Sequence, residues 1–152
     1  MSEIRIGIDP SINCTGICIR EDNTTRYFVV VPSSKKFVND IATVVTYEKS
    51  KDTTGNIYNI AKAVASVFAL ANHKERDVSV VIEGGAFNAV GRVFDLGGLN
   101  YVLRCIVMGL GWKLTVVSPT TLKKNVTGNG RADKDELIKA WMMSERVRVK
   151  PK

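Results

Sequence analysis

Apolar residues recur along the N-terminal third of the chain with the period of two that is typical of β-strands. Three segments there predict strands, and they are residues 4–8, 15–20 and 27–31. Glu21-Asp22-Asn23 predicts a hairpin turn between the second and third. Residues 32–54 are polar apart from 41–45, so they predict a loop with some extended or helical content.

The rest of the chain alternates between helical spacing and short β-branched runs. The predicted elements are a helix over 56–72, a strand over 78–82, a helix over 89–109, a strand over 114–117, and helices over 118–124 and 133–145. The strand at 78–82 is continuously apolar, which is typical of burial on both faces. The apolar residues that predict the buried side of the second helix are Val90, Val93, Phe94, Tyr101, Val102 and Ile106.

This order of elements predicts an α/β fold with a mixed sheet and helices packed against it. A length of 152 residues, with 45% hydrophobic and 24% charged residues, is typical of a single globular domain. The sequence contains no run of eighteen apolar residues, so it predicts no membrane-spanning helix. Three cysteines without a CxxC spacing and no signal peptide predict a reduced, cytoplasmic protein.

Positive charge is concentrated near the C-terminus. The net charge is +7, of which residues 1–112 contribute +1 and residues 113–152 contribute +6. Such an asymmetry indicates a polyanionic partner, most simply nucleic acid. A solvated basic tail explains the same charge equally well.

Two carboxylates come directly after predicted strands. Asp9 follows the strand at 4–8, and Glu83 follows the strand at 78–82. If the two strands are parallel neighbours, both side chains reach one crevice at the carboxyl edge of the sheet. Their mutual repulsion would be offset by a hard divalent cation such as Mg²⁺. The alternative is that Asp9 only forms a turn and Glu83 only ends a strand at the surface.

Two loops have the composition of phosphate-binding segments. Ser11 and Thr15 lie in the turn after Asp9, where phosphate binding and ordinary turn chemistry both explain them. The loop over 123–134 combines lysines and arginine with glycines and leads into a helix N-terminus. Lys134 opposes the dipole of that helix, which indicates function unless the neighbouring acidic residues already satisfy the dipole.

Four motifs occur in order along the chain. They are Ile6-Gly7-Ile8-Asp9-Pro10-Ser11 with Thr15-Gly16, then Val81-Ile82-Glu83, then Leu96-Gly97, and last Val126-x-Gly128-x-Gly130 before Ala132-Asp133-Lys134. With the basic C-terminal third, these motifs resemble the RuvC-type Holliday junction resolvases over almost the whole chain. Serine at position 11, where cellular members usually have glycine, is closer to phage-encoded members.

The resemblance implies an RNase H-like fold, with a five-stranded mixed sheet flanked by helices. It also implies a homodimer that nicks four-way DNA junctions symmetrically, with two Mg²⁺ or Mn²⁺ ions per active site. Asp9 and Glu83 match the first two metal-binding carboxylates, and Lys123 and Lys134 match catalytic basic residues. The helix that contains Gly97-Gly98 matches part of the dimer interface. The further residues expected to bind DNA are Ser11, Phe87, Asn88, Arg92, Lys124 and Arg131.

The chain departs from the family pattern at two places. An aromatic wedge usually lies three residues after the second carboxylate, where this chain has Ala86 and places Phe87 one residue later. The family's last acidic motif would fall about twenty residues beyond Lys134, and the chain stops at Lys152, eighteen residues beyond it, without that motif. We therefore expect residues 1–152 to be one domain that lacks a final helix. The alternative is that Asp133, Asp135 or Glu136 replaces the missing ligands.

The expected function is metal-dependent cleavage of branched DNA. A related nuclease that acts on flaps, forks or RNA–DNA hybrids, and a non-catalytic junction-binding module, remain alternatives. A sugar kinase or actin-like ATPase also has an Asp-x-Gly…Thr-Gly phosphate loop. Ser11 interrupts that loop here, and one small domain cannot close over a nucleotide.

Overall fold

In the computed structural model, which describes residues 3–37, 40–71, 73–85 and 93–148, six strands form one mixed sheet. The strands are β1 (Ile4–Asp9), β2 (Thr15–Glu21), β3 (Thr24–Pro32), β4 (Ala42–Tyr47), β5 (Val78–Glu83) and β6 (Lys113–Val117). Their spatial order is β4-β3-β2-β1-β5-β6. Strands β1, β2 and β3 form an antiparallel meander, β4 is parallel to β3, and β5 is parallel to β1.

The described residues also form four helices. They are α1 (Thr53–Phe68), α2 (Val93–Gly109), α3 (Pro119–Thr127) and α4 (Lys134–Arg148). The chain divides into two compact units, Met1–Val116 and Val117–Lys152. The first contains the sheet with α1 and α2, and the second contains α3 and α4. The predicted α/β class with a mixed sheet and flanking helices is confirmed, with six strands in place of five. None of the helices in the described part of the chain is long and apolar enough to cross a membrane.

One hydrophobic core holds the first unit together. The period of two in β1 and β5 places alternate side chains of both strands in this core. Apolar side chains of α1 and α2 complete it, which fixes the face of the sheet against which these helices pack. The buried residues of these four elements include Ile4, Ile6, Ile8, Val78, Val80, Ile82, Ile60, Val64, Leu99 and Leu103.

Strand β4 is the element that the sequence pattern did not specify. Residues 41–45 predict only some extended or helical content, whereas the structure has a strand at Ala42–Tyr47. Of its six residues only Tyr47 is buried, so the alternation that identifies the other strands is weak here. Backbone hydrogen bonding to β3 defines this edge strand, and that pairing is a long-range contact.

Helix α1 lies a few residues earlier than the predicted 56–72. The Asp52 side chain accepts a hydrogen bond from the Gly55 N–H at 2.8 Å, so it caps the helix start. This bond and a second one from the Ser50 hydroxyl lower the pKa of Asp52. The cap therefore fixes the start of the helix one turn before the apolar stripe becomes evident.

The prediction that β5 is buried on both faces is wrong for the described part of the protein. Only alternate residues of β5 are buried, and Val81 on the other face is 40% exposed. A continuous β-branched run such as β5 can therefore have one buried face and one face that the described residues of its unit leave partly exposed.

The predicted buried side of α2 is also wrong. Phe94 is 95% exposed and Tyr101 is 65% exposed, while Val93 and Val102 are exposed and only Ile106 is partly buried against the core. Val90 lies outside the described residues. The residues of α2 that are buried are Leu99, Asn100, Leu103 and Val107. This helix is apolar on more than one side, so periodicity alone cannot identify which side meets the sheet.

The second unit begins with capped helices. Ser118 accepts a hydrogen bond from the Thr121 N–H, and Pro119 occupies the first turn of α3. The helix continues beyond the predicted residue 124 to Thr127 and ends at Gly128, whose φ of 82° is left-handed. Helices α3 and α4 begin at Pro119 and Lys134, so both starts lie within one residue of the predicted positions 118 and 133.

The two glycines in α2 have different surroundings. A Cβ atom on Gly98 would lie 3.2 Å from the Cδ1 atom of Ile57, whereas a Cβ on Gly97 would meet no atom within 4 Å. A close approach between the two helices therefore occurs at Gly98, which faces Ile57 of α1.

We expect Gly97→Ala to raise the free energy of unfolding by about 1 kcal/mol, because alanine has the higher helix propensity and meets no obstacle. Gly98→Ala should give a clearly smaller gain, or none, because the side chain of Ile57 must move. Urea denaturation of both variants measures the difference. An equal gain at both positions would contradict the close packing of Gly98.

Candidate active site

Asp9 and Glu83 lie side by side at the carboxyl end of two adjacent parallel strands. In the β1–β5 pairing Ile8 is opposite Ile82, and each carboxylate residue is the next along its strand. Neighbouring strands are about 4.8 Å apart. Because Ile8 and Ile82 face the core, the alternation of side chains places Asp9 and Glu83 together on the opposite face. The parallel arrangement that the sequence left conditional is therefore present.

The sheet surface around Asp9 is formed by small residues. Gly16 is the β2 partner of Asp9, and a Cβ atom there would lie 3.9 Å from the Cβ atom of Asp9. Gly7 lies two residues earlier on the same face, and a Cβ there would meet nothing within 4 Å. Asp9 is exposed and Glu83 is half-buried. Among the described residues, this part of the face therefore has only small side chains at Gly7 and Gly16 beside Asp9.

The donor set is suited to a hard cation. Two carboxylates on neighbouring strands provide oxygen ligands, and their like charges are costly to hold close together without a cation. Among the described residues no group of three or more histidine, cysteine, aspartate or glutamate side chains is placed to hold a metal. A cation at this edge would thus take its remaining ligands from water or phosphate oxygens, as Mg²⁺ commonly does.

The turn after Asp9 is closed by a buried threonine. The Thr15 hydroxyl donates to the Ser11 carbonyl at 2.7 Å and accepts from the Ser11 N–H at 3.1 Å. Thr15 is fully buried, whereas Ser11 is half-buried and its Oγ accepts from the Asn13 N–H. Turn chemistry therefore explains Thr15, and Ser11 is the residue of this pair that stays within reach of a ligand.

Tyr47 also holds this turn, although the sequence did not single it out. Its phenol donates a hydrogen bond of 2.7 Å to the backbone carbonyl of Ile12. The side chain is buried, and burial raises the pKa of Tyr47 above its usual 10.0. The contact joins the end of β4 to the loop that follows β1. No local pattern indicates it, because the two segments are more than thirty residues apart.

A second unpredicted residue holds the Glu83 backbone. Asn100 of α2 is buried, and its Nδ2 donates to the Glu83 carbonyl at 2.8 Å. The sequence signal that could have identified it is an asparagine among apolar residues on the buried side of a helix.

The predicted basic residues of the second unit lie around one turn between its helices. Arg131 and Lys134 are exposed, as is Lys124, and Lys123 is half-buried. Hydrogen bonds hold the turn itself, because the Asn129 N–H donates to the Thr127 hydroxyl and the Arg131 N–H donates to the Asn129 side chain. Of the four cations, Arg131 lies in this turn, Lys123 and Lys124 lie on α3 before it, and Lys134 begins α4 after it.

A glycine packs this turn against α3. A Cβ atom on Gly130 would come within 2.9 Å of the Cγ2 atom of Thr120 and 3.4 Å of its carbonyl oxygen. Another residue at this position would therefore push the turn away from the helix.

The start of α4 is a reciprocal capping box. The Glu136 N–H donates to the Asp133 carboxylate, and the Asp133 N–H donates to the Glu136 carboxylate, both at 2.8 Å. These acidic side chains satisfy the helix N-terminus, which supports the alternative that Lys134 faces solvent. Asp133 and Glu136 are also two of the three residues considered as replacement metal ligands, and their carboxylates are engaged in this cap. Because the carboxylates and cations belong to different units, their meeting in one crevice remains a prediction.

Four residues considered for DNA binding cannot be placed. Phe87, Asn88 and Arg92, which are predicted to bind DNA, lie outside the described residues, as does Ala86 at the wedge position.

Comparison with solved structures identifies the fold. A Thermus thermophilus RuvC structure matches with a TM-score of 0.57 at 15% identity, over 90% of this chain and 76% of that chain. T. thermophilus RuvC in complex with a Holliday junction substrate matches with a TM-score of 0.58 at 17% identity, over 98% and 81%. No family model and no curated protein matches the sequence. The chain therefore has the RuvC-like form of the RNase H-like fold, and the prediction of this fold is confirmed.

We expect Tyr47→Phe to lower the free energy of unfolding by about 1 kcal/mol near neutral pH, because it removes a buried hydrogen bond. The raised pKa of Tyr47 means that the folded state keeps a proton which the unfolded state loses above about pH 10. The unchanged protein should therefore lose part of its advantage over the variant as the pH rises from 10. Denaturation at several pH values measures this, and a constant difference would contradict it.

Proposed function

We propose that the protein is a metal-dependent, structure-specific DNA endonuclease that resolves four-way junctions by paired symmetric nicks. The observation that carries the proposal is the placement of Asp9 and Glu83 together at the carboxyl edge of a RuvC-like sheet. The RuvC structure solved with a Holliday junction substrate supports branched DNA as the substrate class. Such an activity would operate in the cytoplasm, of a bacterial host if the protein is phage-encoded.

We infer that Asp9 and Glu83 hold Mg²⁺ or Mn²⁺, with two ions per active site. Divalent cations lower the pKa of bound water and neutralise charge on a phosphodiester during its hydrolysis. The two carboxylates would attract the cations. Without bound cations, the same negative charges would repel the DNA phosphates. Gly7 and Gly16 leave room on this face for the ions and the DNA backbone.

The basic residues of the second unit have a separate part in the proposal. Lys123 and Lys134 would offset negative charge on the reacting phosphate, and Lys124 and Arg131 would contact neighbouring phosphates. Their support is the clustering of these cations around one hydrogen-bonded turn. Ser11 would contact DNA beside Asp9. The DNA-binding roles of Phe87, Asn88 and Arg92 rest on the sequence.

The homodimer is supported by the outer side of α2. Phe94, Tyr101 and Met108 follow each other at intervals of seven residues, so they lie on one side of the helix, and all three are well exposed. A twofold interface along this stripe would bury the apolar side chains of both copies. Two active sites related by the same axis would then nick two strands symmetrically.

We expect Asp9→Asn and Glu83→Gln each to reduce cleavage of a synthetic four-way junction by at least about 100-fold with Mg²⁺ or Mn²⁺. Junction affinity should change by less than about threefold, because removing negative charge does not remove phosphate contacts. Gel assays of cutting and binding measure both. Glu75→Gln and Asp77→Asn are matched controls, since both residues are exposed and lie before β5, at the opposite end of that strand from Glu83.

The same assay distinguishes the alternatives. Tight junction binding without cutting by the unchanged protein would indicate a non-catalytic binding module. Faster cutting of flaps, forks or RNA–DNA hybrids than of junctions would indicate a related nuclease. Full cutting by Asp9→Asn would contradict the proposed site.

We expect Lys134→Ala and Lys123→Ala each to weaken junction binding and to reduce the slope of log affinity against log salt concentration by about 1. The reason is that each lysine would release one condensed counterion on meeting a phosphate. Binding titrations at four salt concentrations measure the slope. Lys74→Ala, which removes an exposed lysine of the first unit, should leave it unchanged.

A further inference from the structure

Apart from the Tyr47 phenol, polar burial in the described part of the protein is confined to two side chains, Thr15 and Asn100. A buried polar group is costly unless hydrogen bonds replace its water. Thr15 makes its bonds to Ser11, two residues after Asp9, and Asn100 makes one to the backbone of Glu83. Each therefore holds the backbone at or beside one of the candidate carboxylates. Thr15 closes its own turn, whereas Asn100 comes from a different element.

Both ends of the Asn100 amide are engaged. The Nδ2 atom donates to the Glu83 carbonyl at 2.8 Å, and the Oδ1 atom accepts from Nε of Arg104 at 2.6 Å. Since Arg104 is only a donor, it fixes which end of the amide points to the strand. Arg104 is itself held over the ring of Tyr101, with 4.6 Å between the guanidinium carbon and the ring centroid.

The position of Glu83 in the sheet explains why such a contact matters. The pairing of β5 with β1 ends at Ile82 opposite Ile8, so Glu83 lies one residue beyond it. Gly84 and Gly85 follow, and glycine restricts the backbone least of all residues. The backbone orientation of Glu83 sets the direction in which its carboxylate leaves the sheet.

We propose that Asn100 is a positioning residue, whose amide fixes the Glu83 backbone and thereby aims the Glu83 carboxylate toward the cation it shares with Asp9. Asn100 lies on the core side of the sheet and the carboxylate lies on the other side, so it acts through the backbone. The inference rests on the proposed function, because it assigns a partner to the proposed metal site.

The test measures Mn²⁺ binding to the protein without DNA, by the electron paramagnetic resonance signal of free Mn²⁺. Asn100→Leu keeps the side-chain size and removes the amide donor. We expect the Kd for Mn²⁺ to rise about tenfold, as for other groups that orient a metal ligand. Junction affinity in the absence of divalent metal should change less than twofold. Cleavage should be recovered at high Mn²⁺ concentration, so that the metal requirement changes more than the maximal rate.

A matched control exists elsewhere in the fold. The Nδ2 atom of Asn59 donates to the backbone carbonyl of Glu48, also at 2.8 Å, and neither residue belongs to β1 or β5. Asn59→Leu removes the same kind of contact and should leave the Kd for Mn²⁺ unchanged. Equal weakening by Asn59→Leu and Asn100→Leu would overturn the proposal, because it would show a general effect of lost stability.

Two further outcomes complete the test. If the unchanged protein binds Mn²⁺ and a folded Asn100→Leu binds it equally well, the positioning role is overturned and the proposed function stands. If the unchanged protein binds no Mn²⁺, the proposed metal site fails and the positioning role with it. If Asn100→Leu does not fold, Arg104→Met tests the proposal instead. Without Arg104, the side-chain amide of Asn100 is free to turn away from the Glu83 carbonyl. We expect a rise in Kd of about threefold, and no rise overturns the proposal.

Discussion

The parallel pairing of β1 with β5 is the contact on which the candidate site depends. Ile8 and Ile82 are opposite each other and both face the core, so the next residues, Asp9 and Glu83, emerge together on the other face. A slip of one residue in either strand would move its apolar side chains out of the core, which makes this register costly to change. Core packing on one face of the sheet therefore determines the carboxylate geometry on the other.

The ends of these strands need further contacts, because the β1–β5 pairing stops at Ile8 and Ile82, one residue before the two carboxylates. The Thr15 hydroxyl, the Tyr47 phenol and the Asn100 amide each bond to backbone atoms at or just after these strand ends. Satisfied buried hydrogen bonds hold a backbone in one arrangement, because leaving them unmade is expensive. The fold thus holds its candidate site from the core side, while two small residues, Gly7 and Gly16, neighbour Asp9 on the outer face.

Charge is divided between the two units of the chain. The excess of positive charge begins near residue 113, and the second unit begins at Val117. The candidate metal-binding carboxylates belong to the first unit, and the cations around the α3–α4 turn belong to the second. In the proposed function these two parts have distinct tasks, since one binds cations and the other binds the polyanion that those cations act upon.

The sequence by itself determined the local features of this protein. The period of two predicts β1 and β5, and the ends of those strands identify Asp9 and Glu83. Ser118-Pro119 predicts the start of α3. Only the tertiary structure decided the edge strand β4, the side of α2 that meets the sheet, and the contacts of Tyr47 and Asn100. Turns, caps and alternation depend on neighbours in sequence, whereas these features depend on pairing and packing between distant segments. In a helix that is apolar on several sides, such as α2, the sequence pattern does not identify which side packs against the sheet.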